Sequence, residues 1–147
     1  MLSDRRPLPA PIGAHDRIRF VPADLSRVED IEALAAAACA PAPPDVLVNC
    51  AGIFPFADIL DADAAQCDAI FGINLRAPFL LTRALAKHWI ARNMAAAVVN
   101  VTSAAAEVVR TNGSLYGPSK AALEQLTRML AVRLGPHGIR VNAVRPG

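Results

Sequence analysis

The chain has 147 residues, of which 54% are hydrophobic and 19% are charged, and its formal net charge is +2. This composition predicts one folded domain with a sizeable core and argues against a disordered chain. The small, dispersed positive charge gives no support to a nucleic-acid partner.

The first third of the chain predicts two strands and one helix. Residues 18–26 have an apolar, strand-like core that ends in Asp24. Residues 26–40 predict a helix, because their apolar side chains recur on one face and Ser26 with Glu29 matches a capping box. Residues 45–52 form a short apolar run ending in glycine, which is typical of a strand buried on both faces.

A long helix is predicted from about residue 64 to residue 93, with an irregularity at Asn74. Pro78 follows Asn74 by four residues and has no N–H, so the Asn74 carbonyl loses its helical partner and the helix should kink. Further along, residues 97–103 predict a buried strand and residues 119–135 a helix with a Glu124–Arg128 pair. Residues 139–147 predict one more strand.

This alternation of strands and helices predicts an α/β fold. We expect a partial Rossmann-like, doubly wound parallel sheet of about four strands and three helices, with helices on both faces. The predicted domain covers residues 18–147, after an irregular or disordered segment at 1–17. In such sheets ligands bind beyond the carboxyl ends of the strands. The residues predicted there are Asp24, Asn49, Cys50, Ala51, Gly52, Thr102, Ser103, Pro146 and Gly147.

Tyr116 is the only tyrosine, and Lys120 follows it by four residues, so both lie on one helical face. An ammonium about 4 Å from a phenol, at an effective dielectric of 20, stabilises the phenolate by roughly 4 kcal/mol. Such a pair could exchange a proton with an alcohol or a carbonyl. The pattern is short, and an ordinary surface cation at a helix start is the alternative.

Three other sites in the sequence each have a functional and a structural interpretation. Ser103 follows a buried strand and could hydrogen-bond a substrate oxygen, or it could cap a turn. Ala51 and Gly52 could let a nucleotide ribose approach closely, or simply form a tight turn. The carbonyl of Asn74 could hold a water that passes protons towards Lys120, or the helix could be kinked without functional consequence.

Taken together, these motifs resemble the short-chain dehydrogenase/reductase family from about Ile18 to Gly147. The N-C-A-G run at 49–52 is similar to the family's N-N-A-G motif, with Cys50 in place of the second asparagine. Asp24 looks like the family's adenine-contacting acid, and Asn142 with Pro146-Gly147 looks like the segment facing the nicotinamide. The residues in the order and near the spacing of the family's catalytic tetrad are Asn74, Ser103, Tyr116 and Lys120.

The resemblance implies that NAD or NADP and a small carbonyl or alcohol substrate exchange a hydride. Tyr116 would be the general acid or base, Lys120 would favour its ionised form and bind the nicotinamide ribose, Ser103 would orient the carbonyl, and Asn74 would anchor a proton-relay water. The implied cofactor-binding residues are Asp24, Asn49, Ala51, Gly52, Tyr116, Lys120, Pro146 and Gly147. The candidate lining of the substrate pocket is Phe54, Phe56 and residues 107–110.

Substrate type and coenzyme preference stay open. A 3-oxoacyl reductase and an alcohol, sugar or steroid dehydrogenase would look alike at this level. Asp4 beside Arg5 and Arg6 suits either NAD or NADP, or an unstructured basic terminus.

The family's first strand, glycine-rich turn and helix have no match here, since Gly13 is the only glycine before Gly52. Nothing after Gly147 matches its substrate-covering segment. We therefore expect uncovered strand edges, low solubility or dependence on an oligomer partner, and weak cofactor binding. Whether the whole protein has residues before Met1 and after Gly147 is a separate question, which the flanking coding DNA would answer.

A non-catalytic alternative is a chain that acts through helices 64–93 and 119–134 as a dimer surface. The same helices would form a homo-oligomer in an enzyme.

The three cysteines have no C-x-x-C spacing and the histidines no H-E-x-x-H pattern, so we expect buried, reduced thiols, no metal site and a cytoplasmic protein. The longest charge-free runs are too short to span a membrane, and the N-terminus has no apolar signal core.

Overall fold

The computed structural model describes residues 1, 3–6, 18–56, 58–109 and 113–147. Most of the predicted irregular segment at 1–17 lies outside the described residues. In chain order the elements are α1 (Val28–Ala38), β1 (Val46–Asn49), α2 (Ala64–Phe71), a π-helical turn (Gly72–Arg76), α3 (Ala77–Ala91), β2 (Ala96–Val101), a 3-10 turn (Ala104–Ala106), α4 (Tyr116–Leu134), a second 3-10 turn (Gly135–His137) and β3 (Ile139–Val144).

The described strands form one parallel sheet in the order β1–β2–β3. This arrangement confirms the predicted α/β fold and its partial Rossmann-like topology. The prediction of a fourth strand at 18–26 is wrong for the described residues, because only Phe20 makes an isolated bridge. A strand needs a ladder of backbone partners, and Ala23 instead donates a single bond to the carbonyl of Asp4 at 3.2 Å.

The helices cover one face of the sheet. Alternate residues such as Val98, Ile139 and Val141 are buried in one cluster with side chains of α1, α3 and α4. Their neighbours point to the opposite face, as they must in a pleated strand, and there Val46 and Val48 are 52% and 57% exposed. The expectation of helices on both faces is therefore wrong for the described residues, because the apolar faces of α1, α3 and α4 join the same core.

The start of α1 differs from the predicted capping box. Its N-cap residue is Arg27, which makes no side-chain capping bond. The Ser26 hydroxyl donates to the Asp24 carboxylate at 2.8 Å, and the carboxylate of Asp30 accepts from the Asp24 amide at 2.9 Å. The Asp24 carboxylate also accepts from the Ser26 amide at 3.0 Å, which is the bond that the Glu29 side chain was expected to make.

The long predicted helix exists as α2, the π-turn and α3. The Ala77 amide donates to the carbonyl of Gly72, five residues earlier, so the helix widens around Asn74, where Pro78 removes the normal donor. By length and composition alone, the continuous helix Ala64–Ala91 could cross a membrane. Half of its apolar stretch is buried inside the domain, and Leu85 and Trp89 are core residues. This helix therefore packs as a core helix does.

Candidate active site

A cleft of about 560 Å³ opens at the carboxyl end of the sheet. The turn after β2 forms one wall and the first turn of α4 forms another, while Phe54 closes a third side. Ser103, Tyr116 and Gly147, which come from three separate parts of the chain, all line this space. The structure thus brings two of the four predicted catalytic side chains into one cleft.

Lys120 lies beneath the tyrosine ring. Its Nζ is 5.7 Å from the centroid of the Tyr116 ring and donates a 2.8 Å hydrogen bond to the carbonyl of Val101, at the end of β2. The residue is only 3% exposed. Burial lowers the pKa of the Lys120 ammonium, and its charge interaction with Cys50 partly opposes this.

Asn74 is fully buried and fixes the floor of the site. Its side-chain amide accepts from the backbone N–H of Ile53 and donates both to the Ile53 carbonyl and to Ser119 Oγ. Ser119 in turn donates to the carbonyl of Tyr116 at 2.7 Å. The Asn74 side chain therefore positions its neighbours, and the predicted role of its carbonyl as a water anchor stays a prediction.

Ser103 has the capping role that was its structural alternative. Its Oγ accepts from the Ala105 amide at 3.2 Å and so caps the 3-10 turn after β2. The two interpretations are compatible, because a hydroxyl that accepts one bond can still donate its proton. Ser103 therefore keeps a donor for an oxygen bound in the cleft.

Two glycines that the sequence analysis did not single out shape the cleft. A Cβ on Gly117 would lie 2.8 Å from the carbonyl oxygen of Ala105, so only glycine lets α4 approach the turn after β2 so closely. A Cβ on Gly113, which has a φ of +110°, would lie 2.8 Å from the Phe54 ring. The sequence did contain an indication of this contact. Glycine in the first turn of a helix weakens the helix, so Gly117 itself suggested that a close neighbour leaves no space for a side chain.

The N-C-A-G run divides between the core and the site. Asn49 donates to Asn100 Oδ1 at 2.8 Å and to Thr82 Oγ1 at 3.3 Å within a buried network. Gly52 lies at the site, because a Cβ there would be 3.3 Å from both Asn74 Oδ1 and Lys120 Nζ. Cofactor binding by Asn49, Ala51 and Gly52 stays a prediction.

The cysteines differ in burial. Cys39 is buried, as expected, but Cys50 is exposed and Cys67 is half-buried. The expectation that all three are buried is therefore wrong.

Asp24 lies at the turn before α1. Hydrogen bonds from the Ser26 amide and hydroxyl hold the pKa of its carboxyl below the ordinary value of 3.8. The carboxylate is thus ionised and half-exposed, which suits an acceptor for a hydroxyl. Its predicted contact with adenosine is not tested by these bonds.

The carboxyl end of β3 is tied to the turn after β2. The Pro146 carbonyl accepts from the Ala104 amide at 3.0 Å. Arg145 makes two bonds of 2.9 and 2.8 Å to the carboxylate of Glu124 and an ion pair of 2.6 Å to Glu107. The predicted Glu124–Arg128 pair is not formed, since Arg128 donates to Gln125 instead. Arg145 therefore braces the Pro146-Gly147 segment against both α4 and the cleft wall.

Most of the residues predicted to line a pocket lie around the cleft. Phe54 and residues 107–109 line the cleft, and Phe56 packs against Phe54 with ring centroids 4.9 Å apart. Arg110 lies outside the described residues. The Phe54 ring also lies 4.5 Å from the Tyr116 ring, tilted by 45°, a contact that the sequence does not indicate.

The residues present fit the reactive half of a nicotinamide cofactor. Gly52 leaves the approach to the Lys120 ammonium open, because a side chain there would press on Nζ. Lys120 makes one hydrogen bond among the described residues, and an ammonium carries three donors. Lys120 therefore has donors left that fit ribose hydroxyls, and Gly147 lines the adjoining cleft.

Comparison with known proteins gives matches over nearly the whole chain. Residues 4–147 match the family described as enoyl-(acyl carrier protein) reductase. The chain is 44% identical over 104 residues to the L-xylulose reductase of Mus musculus, covering 71% of this chain and 43% of that protein. It spans about half the length, or less, of the curated relatives that it matches.

Solved structures agree with the sequence matches. A short-chain dehydrogenase from Streptomyces avermitilis superposes with a TM-score of 0.90 at 33% identity, covering 99% of this chain and 54% of that one. A 4-hydroxyisoleucine dehydrogenase complexed with NADH superposes with a TM-score of 0.84, also at 33% identity, over 88% of this chain and 54% of its own.

Proposed function

Because the chain belongs to the short-chain dehydrogenase/reductase family, we propose that it is the catalytic part of an NAD(P)-dependent oxidoreductase that interconverts a carbonyl and a secondary alcohol. The observation that carries the proposal is the convergence of Ser103 and Tyr116 in one cleft with Lys120 beneath the phenol. The relatives named above are a reductase and two dehydrogenases, which supports this reaction class.

The nicotinamide cofactor, when bound, supplies or accepts the hydride. Tyr116 protonates the substrate oxygen in reduction and takes the alcohol proton in oxidation. The Ser103 hydroxyl donates to the same oxygen and so polarises the carbonyl. Lys120 stabilises the phenolate that remains after proton donation, because its ammonium lies 5.7 Å from the ring centroid.

After Tyr116 has given up its proton, a new proton would reach it through Asn74 and Lys120 at the floor of the site. Asn74 Oδ1 and Lys120 Nζ each lie 3.3 Å from the position of a Cβ on Gly52, so the two side chains lie close together at the floor of the site. We propose that a water on the Asn74 carbonyl reprotonates the site through Lys120. The widened helical turn at 72–76 supports this, since the residue that would normally donate to that carbonyl is Pro78.

For the 147-residue chain alone we expect weak cofactor binding, because its residues include no glycine-rich turn to bind the pyrophosphate. NADH and NADPH fluorescence titrations measure the affinity and the coenzyme preference. Ketone-dependent NAD(P)H oxidation, followed with a panel of ketones, tests the reaction. Tyr116→Phe should reduce the rate about 10²- to 10⁴-fold without changing NAD(P)H binding. Equal rates in Y116F and wild type, or no cofactor binding at millimolar concentration, would refute the proposal.

We also propose a homo-oligomer formed through the α2–α3 and α4 helices in a cytoplasmic protein. An apolar groove of about 580 Å³ lies between them and is lined by Phe71, Leu75, Phe79, Leu126 and Met129, among others. Met129 is 63% exposed, which is costly for an isolated surface. This groove also favours the alternative of a non-catalytic chain acting through these helices. Sedimentation of Met129→Glu against wild type tests the assembly, while the Y116F assay separates the two functions.

A further inference from the structure

We propose that Phe54 determines substrate specificity, and that the cleft takes ketones with an apolar aryl or branched alkyl substituent in preference to polyhydroxylated ketones. This inference rests on the proposed carbonyl–alcohol reaction and names the substrate class of the same site. It is based on the position of Phe54 and on the polar groups of the cleft, some of which already bind other residues.

Phe54 is held in place from three sides. Its ring packs on Tyr116 at 4.5 Å and on Phe56 at 4.9 Å. The preceding residue, Ile53, has both backbone polar groups bonded to Asn74. Gly113 leaves only enough space for the ring, because a Cβ there would meet it at 2.8 Å. The Phe54 ring therefore has a fixed position in the wall of the cleft.

The same ring still offers surface to a ligand. Phe54 is 44% exposed and, with Tyr116, lines the cleft. Val109, three residues after the 3-10 turn that follows β2, also lines the cleft and is 95% exposed. A flat or branched apolar group next to the reacting carbonyl would cover these surfaces, and tilted aromatic pairs of this kind are favourable.

The residues that the structure describes around the cleft offer few polar partners for extra hydroxyl groups. Among the described lining residues, four carry polar side-chain atoms, namely Ser103, Glu107, Ser114 and Tyr116. Glu107 is paired with Arg145, while Ser103 and Tyr116 are needed at the reacting oxygen. A ketose carries several further hydroxyls, and each one buried without a partner weakens binding by about tenfold. The described part of the cleft therefore favours an aryl or branched alkyl substituent over further hydroxyl groups, although a matched relative is an L-xylulose reductase.

The unique tyrosine provides a direct test by 19F NMR. Labelling with 3-fluorotyrosine gives one resonance, at Tyr116, without any cofactor. We expect acetophenone to shift this resonance in the full chain and L-xylulose at the same concentration to leave it unchanged. Phe54→Ala should weaken acetophenone binding at least tenfold, and Phe54→Leu should weaken it less. Phe20→Leu is the matched control, since Phe20 is not among the residues that line the cleft, and it should change the affinity less than twofold.

Fluorescence of Trp89, the only tryptophan and fully buried, shows whether each variant is folded. If F54A unfolds, F54L still decides the question through its acetophenone affinity. Tighter binding of L-xylulose than of acetophenone, or equal affinities in wild type and F54L, would overturn the inference. Hydride transfer is measured separately with NAD(P)H, so a chain that binds acetophenone as expected but reduces no ketone refutes the proposed function and leaves the specificity of the cleft intact.

Discussion

The side-chain amide of Asn74 holds both backbone polar groups of Ile53, with a 2.9 Å bond from the Ile53 amide and a 3.0 Å bond to its carbonyl. A third bond, to Ser119, continues to the carbonyl of Tyr116. One buried side chain thus joins the segment after β1 to the first turn of α4. The phenol of Tyr116, for which we propose the catalytic role, and the ring of Phe54, which packs on it, are positioned by the same residue.

Asn74→Ala should destabilise the fold by about 2–4 kcal/mol, since it removes three hydrogen bonds and leaves buried partners unsatisfied. Urea denaturation followed by Trp89 fluorescence measures this loss. Ser119→Ala is the matched control, because it removes only the third of these bonds together with the bond to Tyr116. A loss for N74A no larger than that for S119A would show that the two bonds to Ile53 contribute nothing.

Gly117→Ala should destabilise the chain by about 1–3 kcal/mol, because the new Cβ would lie 2.8 Å from the backbone oxygen of Ala105 and force the turn away from α4. The shift would also widen the cleft at Ser103. Gly135→Ala is the control at the other end of the same helix, where a Cβ meets nothing within 4 Å and the backbone is α-helical. It should be neutral or stabilise by up to about 1 kcal/mol. Equal effects of the two substitutions would contradict the close approach.

Burial of the Lys120 ammonium should make the free energy of unfolding depend on pH, and comparison with Lys120→Met should measure this dependence. Because burial lowers the pKa of Lys120 below 10.5, the folded chain binds fewer protons than the unfolded chain between the two pKa values, and stability rises with pH there. Wild type should therefore gain stability relative to K120M as the pH rises towards 10.5. Both chains are compared in a Y116F background, so that the phenol does not titrate. A difference that is constant from pH 7 to 10.5 would show that the ammonium is well solvated.

The parallel sheet and the location of the site were predictable from sequence because they depend on local patterns. Short apolar runs gave β1, β2 and β3, and parallel strands bring their carboxyl ends to one edge. That geometry places Ser103 and Gly147 in the same cleft as Tyr116. Pro78 likewise located the irregular turn, since a missing N–H is a property of one residue.

Several of the wrong or missing predictions concern pairings between distant residues. Residues 18–26 are apolar enough for a strand, but strand formation requires a partner that their own sequence does not specify. Glu124 and Arg128 have ideal helical spacing for an ion pair. Arg145, which is 21 residues away in sequence, instead donates two hydrogen bonds to the Glu124 carboxylate, and such a two-bond pair is the stronger interaction. The Phe54–Tyr116 contact depends on the same kind of distant packing.

The ion pair of Glu124 and Arg145 should give the fold an acid-sensitive component. Hydrogen bonding to Arg145 is the largest cause that lowers the pKa of Glu124 below 4.5. The pair therefore stabilises the fold fully above pH 4.5, and this stabilisation is lost as the pH falls through the folded-state pKa. Relative to Glu124→Gln, wild type should lose stability below pH 4.5, as measured by urea denaturation at a series of pH values. The same comparison in an Arg145→Gln background should show a smaller pH dependence, because the main cause of the shift is gone. An unchanged pH dependence in that background would mean that Arg145 is not the partner that holds Glu124 ionised, and that it does not brace the Pro146-Gly147 segment through α4.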